Sequence, residues 1–280
     1  MTTDLEGLNV SELGTKAYWD EYYKREDGNT RQEHDEVDDQ KASTSLSRLE
    51  SWFDDVGAPE KVLEFLLSPG FPLFSQEEKP KGTTAVLDLG TGNGSTLMSL
   101  AVEEDGAIED ARLVGVDYSE ASIALARRLW TEIQDSGEAE VGKGTTVEFH
   151  VFDITRDTAS SQPWWPSSSS SADPGGFDLV LDKGTFDAIS LSSDTVDGRK
   201  VYEIYPSKVL GMVKPGGFFL ITSCNWTEGE VVQRFCNENT ARIEGTEARF
   251  EVFHKIKYPV YSFGGQQGQG VASVCFRRTD

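Results

Sequence analysis

The 280-residue sequence predicts an α/β fold with a doubly wound, mostly parallel sheet and an N-terminal helical arm. Three observations carry this. From Thr84 onward, short apolar runs alternate with stretches of helical spacing. Three of the first four runs close on an aspartate: Asp117, Asp153 and Asp182. The first run passes through Asp88 into Gly90-Thr91-Gly92-Asn93-Gly94, a glycine-rich loop that lets the backbone turn tightly and approach a ligand.

The chain opens with a charged stretch, from Met1 to about Ser45, that contains one aromatic knot, Tyr18-Trp19-Asp20-Glu21-Tyr22-Tyr23. Between Arg25 and Lys41 the one apolar residue is Val37, so this acidic stretch reads as a mobile linker. Leu46, Leu49, Trp52, Phe53 and Val56, then Val62, Leu63 and Leu66, follow helical spacing on either side of a break at Gly57-Ala58-Pro59. Phe71 to Gly82 reads as a connector. Residues 1–82 are thus expected to form an arm and lid segment, and residues 83–280 the main domain.

Within that domain, Ala85–Leu89 is the first strand and Ser95–Val102 the first helix. Arg112–Val116 is the second strand, and Ser119 is placed to cap a helix over Glu120–Gln134. Thr146–Phe152 and Phe177–Leu181 are the third and fourth strands. Val201–Met212 suits a helix that Pro206 should kink or divide. Gly217–Thr222 is the fifth strand, followed by a helix over Thr227–Cys236. Phe250–Tyr258 and Val271–Arg277 have no helix between them and predict an antiparallel hairpin, joined by a Gly- and Gln-rich loop. Between the third and fourth strands lies a Ser-rich insertion, residues 157–176, which begins its low-complexity run after Trp164-Trp165-Pro166. The two tryptophans either pack on the sheet edge or touch a partner.

Composition narrows the function. Hydrophobic residues make up 37% of the chain, and no apolar run approaches the roughly 20 residues that span a bilayer. Met1–Val10 is acidic and polar, unlike a secretory or transit segment, so a soluble intracellular protein without membrane contact is expected. Cys224, Cys236 and Cys275 form no CxxC pair, and His34, His150 and His254 give no ligand spacing, so no metal site is expected. The net charge of −22 disfavours direct nucleic-acid binding and attracts a basic protein partner.

In an open α/β sheet, ligands bind beyond the carboxyl ends of the strands. Asp88, Asp117, Asp153 and Asp182 should therefore surround one crevice. A dinucleotide site wants a third glycine one residue later than Gly94, and a carboxylate at Asp88 disfavours pyrophosphate. The same carboxylate suits the cationic sulfonium and amino group of S-adenosylmethionine. Asp117, at the end of the next strand, is placed to accept hydrogen bonds from ribose hydroxyls.

At this point the sequence resembles a known family. Asp88-Leu89-Gly90-Thr91-Gly92-Asn93-Gly94 looks like the first motif of class I methyltransferases. Five further stretches narrow it: Leu13 to Asp20, Gly115 to Ser119, Leu181 to Ile189, Leu220 to Trp226, and Phe263-Gly264-Gly265. Together they resemble the protein-lysine methyltransferases that modify translation elongation factor 1-alpha. The resemblance implies a Rossmann-like, seven-stranded sheet with an antiparallel last strand, and a cytosolic enzyme. It implies S-adenosylmethionine held by Trp19, Asp88, Gly90, Thr91, Gly92, Asn93, Asp117, Tyr118, Asp153, Ile154 and Asp182. The linker and the Ser-rich insertion look longer than the family pattern. The fourth strand lacks the Asn/Asp-Pro-Pro-Tyr signature of enzymes acting on adenine or glutamine amides.

For chemistry, Asp182 is expected to orient an incoming lysine amine and take its proton, with Lys183, Thr185 and Asp187 as further catalytic candidates. Asp187 has the alternative of capping the following helix, and Lys183 that of a plain surface charge. Asp182 has the alternative of a structural role, holding the Gly184-Thr185 turn through backbone N–H bonds. Trp19, Tyr22 and Tyr23 form part of a lid or pack the arm onto the domain. Trp226 lines the acceptor channel or packs in the core. A small-molecule methyltransferase of the same fold is the alternative function, since the core does not choose an acceptor.

Overall fold

The computed structural model describes residues 7–36, 51–74, 82–102, 108–137, 140–166, 175–237, 241–259, 261–263, 266–268 and 270–280. Seven strands form one sheet: β1 Thr84–Leu89, β2 Ala111–Asp117, β3 Thr146–Val151, β4 Phe177–Lys183, β5 Val213–Ser223, β6 Arg249–Ile256 and β7 Ala272–Thr279. Their order is β3-β2-β1-β4-β5-β7-β6. The pairs from β3 through to β5 are parallel, and β7 runs antiparallel to both of its neighbours. The expected hairpin of β6 and β7 is therefore present, and β7 slots between β5 and β6.

The helices are α1 Lys16–Glu36, α2 Ala58–Leu67, α3 Ser95–Val102, α4 Glu120–Ser136, α5 Thr185–Ser190, α6 Val201–Met212 and α7 Glu228–Phe235. They divide between the two faces because the strands are apolar on both. On one face, Val86, Leu113, Leu179 and Leu181 meet Leu66 of α2, Leu97 and Met98 of α3, and Ile123 and Leu129 of α4. On the other, Leu87, Val114, Val180 and Ile221 meet Phe186 of α5, Tyr205 of α6 and Phe235 of α7. β1, buried along its whole length, is sealed by both layers.

Local signals explain the boundaries. Ser119 accepts the Ser122 N–H at 3.3 Å and caps α4 as expected. Thr227 and Glu230 form a capping box at the start of α7. Pro206 does not divide α6. It lies in the second turn, where the missing N–H removes one bond to the Tyr202 carbonyl, and the buried ring packs as an apolar side chain.

Four expectations need correcting. The stretch from Arg25 to Glu36 is not linker but the second half of α1; residues 37–41 of that linker lie outside the described residues. Its polar composition is offset by an ion-pair cluster: Arg128 of α4 reaches Asp27 at 2.8 Å and Glu132 at 2.6 Å, and donates to the Thr30 hydroxyl at 2.5 Å. Before α2, residues 51–56 form turns and a short 3-10 helix, Asp54–Val56, with Phe53 left-handed at φ 74°; Leu46 and Leu49 lie outside the described residues. Phe71, read as part of a connector, is fully buried against Phe65 and Phe218. The Gly- and Gln-rich loop carries a small hairpin of Tyr261–Phe263 with Gln266–Gly268, while Gly264-Gly265 lie outside the described residues. A second small hairpin, Thr195–Val196 with Arg199–Lys200, precedes α6.

Trp164 and Trp165 pack inward on Phe177, with Trp164 also edge-on to Phe152. The Ser-rich run from Ser167 to Ser171 lies outside the described residues. No helix among the described residues is long and apolar enough to cross a membrane. Cys224, Cys236 and Cys275 are free thiols, and no group of potential metal ligands forms among the described residues.

Candidate active site

Strand order reverses between β1 and β4, and a cavity of about 1130 Å³ opens beyond their carboxyl ends. The register aligns the strand ends: Asp88 lies beside Gly115, Leu89 beside Val116 and Asp182, and Asp182 beside Ile221. Of the expected cofactor residues, Trp19, Gly90, Thr91, Gly92, Asn93, Asp117, Tyr118, Asp153 and Ile154 line this cavity. Of the expected catalytic residues, Lys183, Thr185 and Asp187 line it. Asp88 and Asp182 do not. They border a smaller cavity of about 350 Å³, which shares Ser51, Asp54 and Lys183 with the large one.

The glycine loop is shaped by what surrounds it. Gly90 sits at φ +62°, and a Cβ there would lie 2.0 Å from the Thr185 hydroxyl. That hydroxyl donates to the Leu89 carbonyl at 2.6 Å, which ties the end of β1 to the start of α5. Gly92, at φ +59°, has the Tyr23 hydroxyl 2.5 Å from its would-be Cβ. Thr91 donates to Asp88 at 2.7 Å, so the Asp88 carboxylate braces the loop from beneath. Burial pushes the Asp88 carboxyl up to about 6, partly offset by the Thr91 bond and by Lys183.

Asp117 accepts the Gly92 N–H at 3.2 Å and the Ser119 N–H at 2.9 Å. An ionised carboxylate has about four lone-pair sites, so acceptor capacity remains for a hydroxyl group in the cavity. Burial raises its pKa against those two backbone bonds and the nearby Ser122 hydroxyl. Asp153 accepts both the N–H and the hydroxyl of Thr155, at 2.8 and 2.6 Å, and thereby fixes the turn that exposes Ile154's neighbours to the cavity. Over the loop lies α1. Tyr23 is buried and stacks on Trp19, whose indole N–H donates to the Leu13 carbonyl at 2.7 Å, and Trp52 closes against Trp19 and Tyr22. Of the two alternatives for the aromatic knot, packing of the arm onto the domain is what these contacts show, and Trp19, Tyr22 and Tyr23 also line the cavity.

Asp182 does not line the large cavity, and its carboxylate is engaged by groups of the protein itself. It accepts the Thr185 N–H at 2.9 Å, the Phe186 N–H at 3.2 Å and the Tyr205 hydroxyl at 2.5 Å. Only 2% of its surface is exposed. The anticipated structural alternative is what the hydrogen bonds describe, with Tyr205 as a partner. Burial pushes its carboxyl up to about 7, against the Tyr205 and backbone bonds. Lys183 is shared by both cavities, and burial lowers its pKa against the pull of Asp88, Asp54 and Asp182.

Asp187 lies inside the first turn of α5 and so cannot cap a later helix. Its carboxylate accepts the Ser223 hydroxyl at 2.5 Å, the Cys224 N–H at 2.9 Å and the Asn225 N–H at 3.4 Å. Trp226 is buried in the core, not along the cavity: its indole donates to Ser190 at 3.1 Å, and Arg234 stacks 3.8 Å from its ring centre. Sequence reasoning missed Tyr205, Phe53, Asp54, Asp55 and Asn225. Tyr205 reads as an apolar helix position, and the turn bearing Phe53 to Asp55 reads as helix. Asn225 stood inside a recognised motif but gave no separate signal.

The arrangement fits S-adenosylmethionine on the chain's own terms. A loop that admits only glycine at Gly90 and Gly92 brings the backbone close to a ligand, and Asp117 offers acceptors to hydroxyls. Carboxylates beneath and beside the loop oppose a pyrophosphate. Residues 80–267 match the family model of a methyltransferase domain. Fold, loop and match define a class I S-adenosylmethionine-dependent methyltransferase. The chain is 37% identical over 277 residues to protein-lysine N-methyltransferase efm4 of Schizosaccharomyces pombe, covering 98% of this chain and 97% of that protein. It is 36% identical over 270 residues to EFM4 of Saccharomyces cerevisiae, covering 96% of each. It is 31% identical over 274 residues to EEF1A lysine methyltransferase 2 of Homo sapiens, covering 98% of this chain and 89% of that protein. The chain belongs to the methyltransferase family that contains these proteins.

Proposed function

We propose that this enzyme transfers a methyl group from S-adenosylmethionine to the ε-amino group of a lysine on a basic protein in the cytoplasm, and that the protein is translation elongation factor 1-alpha. The observation that carries the reading is a single cavity with two differently equipped halves. Over β1 to β3, the glycine loop, Asp117, Tyr118, Asp153 and Ile154 provide for a nucleoside. Over β4 and β5, Lys183, Gly184, Thr185, Asp187, Cys224 and Asn225 line the space, with Phe53, Asp54 and Asp55 opposite. End-to-end similarity to relatives named for protein-lysine and EEF1A-lysine methylation supports the acceptor. The net charge of −22 supports a basic one.

The bound donor supplies an electrophilic methyl group. The chain's own task is to present a neutral amine in line with it and to exclude water. A free lysine has a pKa near 10.4, so deprotonation at neutral pH costs about 4.6 kcal/mol. Enclosure beneath the Trp19, Tyr22 and Trp52 roof lowers that cost by disfavouring the charged form. Asp54 and Asp55, on the turn facing β4 and β5, carry the negative charge that attracts the incoming ammonium. Asp182 acts from behind, by fixing the Gly184-Thr185 turn and so the shape of the acceptor half.

The test is mass spectrometry of purified elongation factor 1-alpha after incubation with enzyme and S-adenosylmethionine. A mass gain of one or more methyl groups on one lysine is expected. An unmodified elongation factor beside another labelled protein in cell lysate would overturn the proposed acceptor. Label confined to small molecules would favour the small-molecule alternative.

A further inference from the structure

The last residue of β5, Ser223, and the three that follow it are held more firmly than a connecting loop requires. Ser223 and the backbone N–H groups of Cys224 and Asn225 all bond to the Asp187 carboxylate, at 2.5, 2.9 and 3.4 Å. The Trp226 N–H then donates back to the Ser223 hydroxyl at 3.1 Å. Trp226 itself is clamped between Ser190 and the guanidinium of Arg234. Three elements, α5, β5 and α7, thus fix a turn whose two central side chains, Cys224 and Asn225, are exposed and line the cavity.

Of the two, Cys224 is poorly suited to polar recognition. Although the side chain reaches solvent, the partial desolvation of its sulfur and the Asp187 carboxylate push its thiol up to about 12, so it stays a neutral, weak donor. Among the described residues, the Asn225 carboxamide has as its side-chain partner the Cys224 thiol, a weak donor at 3.8 Å. Among the described residues its side chain braces no other element, while its backbone is pinned. That combination is what a ligand contact needs. The sheet order also places it: β5 lies on the opposite side of β1 from β2 and β3, where Asp117 and Asp153 stand.

We propose that Asn225 is the residue that contacts the acceptor amine and selects its neutral form, and that Asp187 is the positioning residue that holds it there. The proposal rests on the reading that the acceptor is a lysine side chain. The amide oxygen accepts an N–H from the amine without bearing charge. A carboxylate at the same place would bind the ammonium and keep it protonated, because an opposite charge at contact raises an amine's pKa by about 1–3 units. An amide therefore orients the nucleophile without disarming it.

The test compares wild type, N225A, N225D and D187N as full-length chains with S-adenosylmethionine and elongation factor 1-alpha. If wild type labels a different protein in lysate, that protein becomes the acceptor for all four. N225A should raise the acceptor KM about fivefold or more, with cofactor affinity and melting temperature at wild-type values. N225D should lower kcat about tenfold or more at neutral pH, with no rise in acceptor KM and with activity recovering as pH increases. D187N, which leaves one fewer acceptor for the pinned N–H groups, should lower kcat while cofactor affinity holds. An N225A chain with unchanged acceptor KM, or an N225D chain with the wild-type pH–rate profile, would overturn the assignment. A wild type that labels an unexpected protein refutes only the acceptor named above; a wild type that labels no protein refutes both.

Discussion

Replacing Asp182 by Asn should make the protein's stability less dependent on pH. In the folded chain this carboxyl is pushed up to about 7 by burial, whereas an unfolded aspartate titrates near 3.9. Between those values the folded state keeps the proton that the unfolded state has released. Stability from this group is therefore fully present at acid pH, falls as pH rises, and is gone above the folded pKa. From about pH 5 to about pH 8 the loss integrates to about 2–3 kcal/mol, and no discount for solvent applies to a side chain with 2% exposure. Asn cannot titrate, yet its amide oxygen can still accept the Thr185 and Phe186 N–H groups, and its NH2 can donate to a reoriented Tyr205 hydroxyl. Urea unfolding of both proteins across this range gives the difference directly, with all other titrations cancelling. The variant should gain on wild type by about 2–3 kcal/mol as pH rises. A difference that stays flat would show that Asp182 is not the buried, proton-holding group described. A loss of turnover of about 10²-fold or more without any change in the stability profile would instead place the carboxylate against the amine.

Three other substitutions probe the same architecture. Tyr205→Phe removes a donor that holds the Asp182 pKa down, so the acid-stable window should extend to higher pH, with a cost at pH 8 of about 1–3 kcal/mol in urea melts; an unshifted profile would deny the pairing. Thr185→Val strips the bond to the buried Leu89 carbonyl and should weaken cofactor binding measured by calorimetry, while Thr185→Ser should retain it; equal affinities for the two would deny the tie between β1 and α5. Asp117→Ala removes the carboxylate offered to ribose hydroxyls and should cost about 1–3 kcal/mol of S-adenosylmethionine affinity, again by calorimetry; a folded variant with unchanged affinity would remove Asp117 from that role.

What the sequence disclosed, and what it withheld, follows from the range of the interactions. Strands sealed on both faces write themselves as continuous apolar runs, so β1, β2, β4 and β5 were readable to within a few residues. Caps are local, and Ser119 and Thr227 announced their helices. The second half of α1 was not readable, because its order comes from Arg128, about a hundred residues away, and not from an apolar stripe of its own. The same holds at the site. Aspartates after strands pointed to the crevice, but which way a carboxylate turns depends on donors brought in by other elements. Asp182 is claimed by Tyr205 of α6 and by its own turn; Asp187 by the end of β5. Neither partner is signalled by spacing.

Those long-range claims also explain how one sheet edge serves two ligands. In-line transfer tolerates little error in the distance between donor and acceptor. Here the glycine loop and the β4 turn are not independently placed: Thr185 joins them through the Leu89 carbonyl, and a side chain at Gly90 has no room beside it. Thr185 is in turn fixed by Asp182, and α5 carries Asp187, which fixes the turn after β5. Cofactor loop, β4 turn and β5 turn are thus serially bonded across three neighbouring strands. A buried carboxylate at each of the last two joints is costly, since burial raises both pKa values. Each is retained with several donors that an apolar residue could not engage, so the cost goes into geometry at the point where the reaction is least tolerant of displacement.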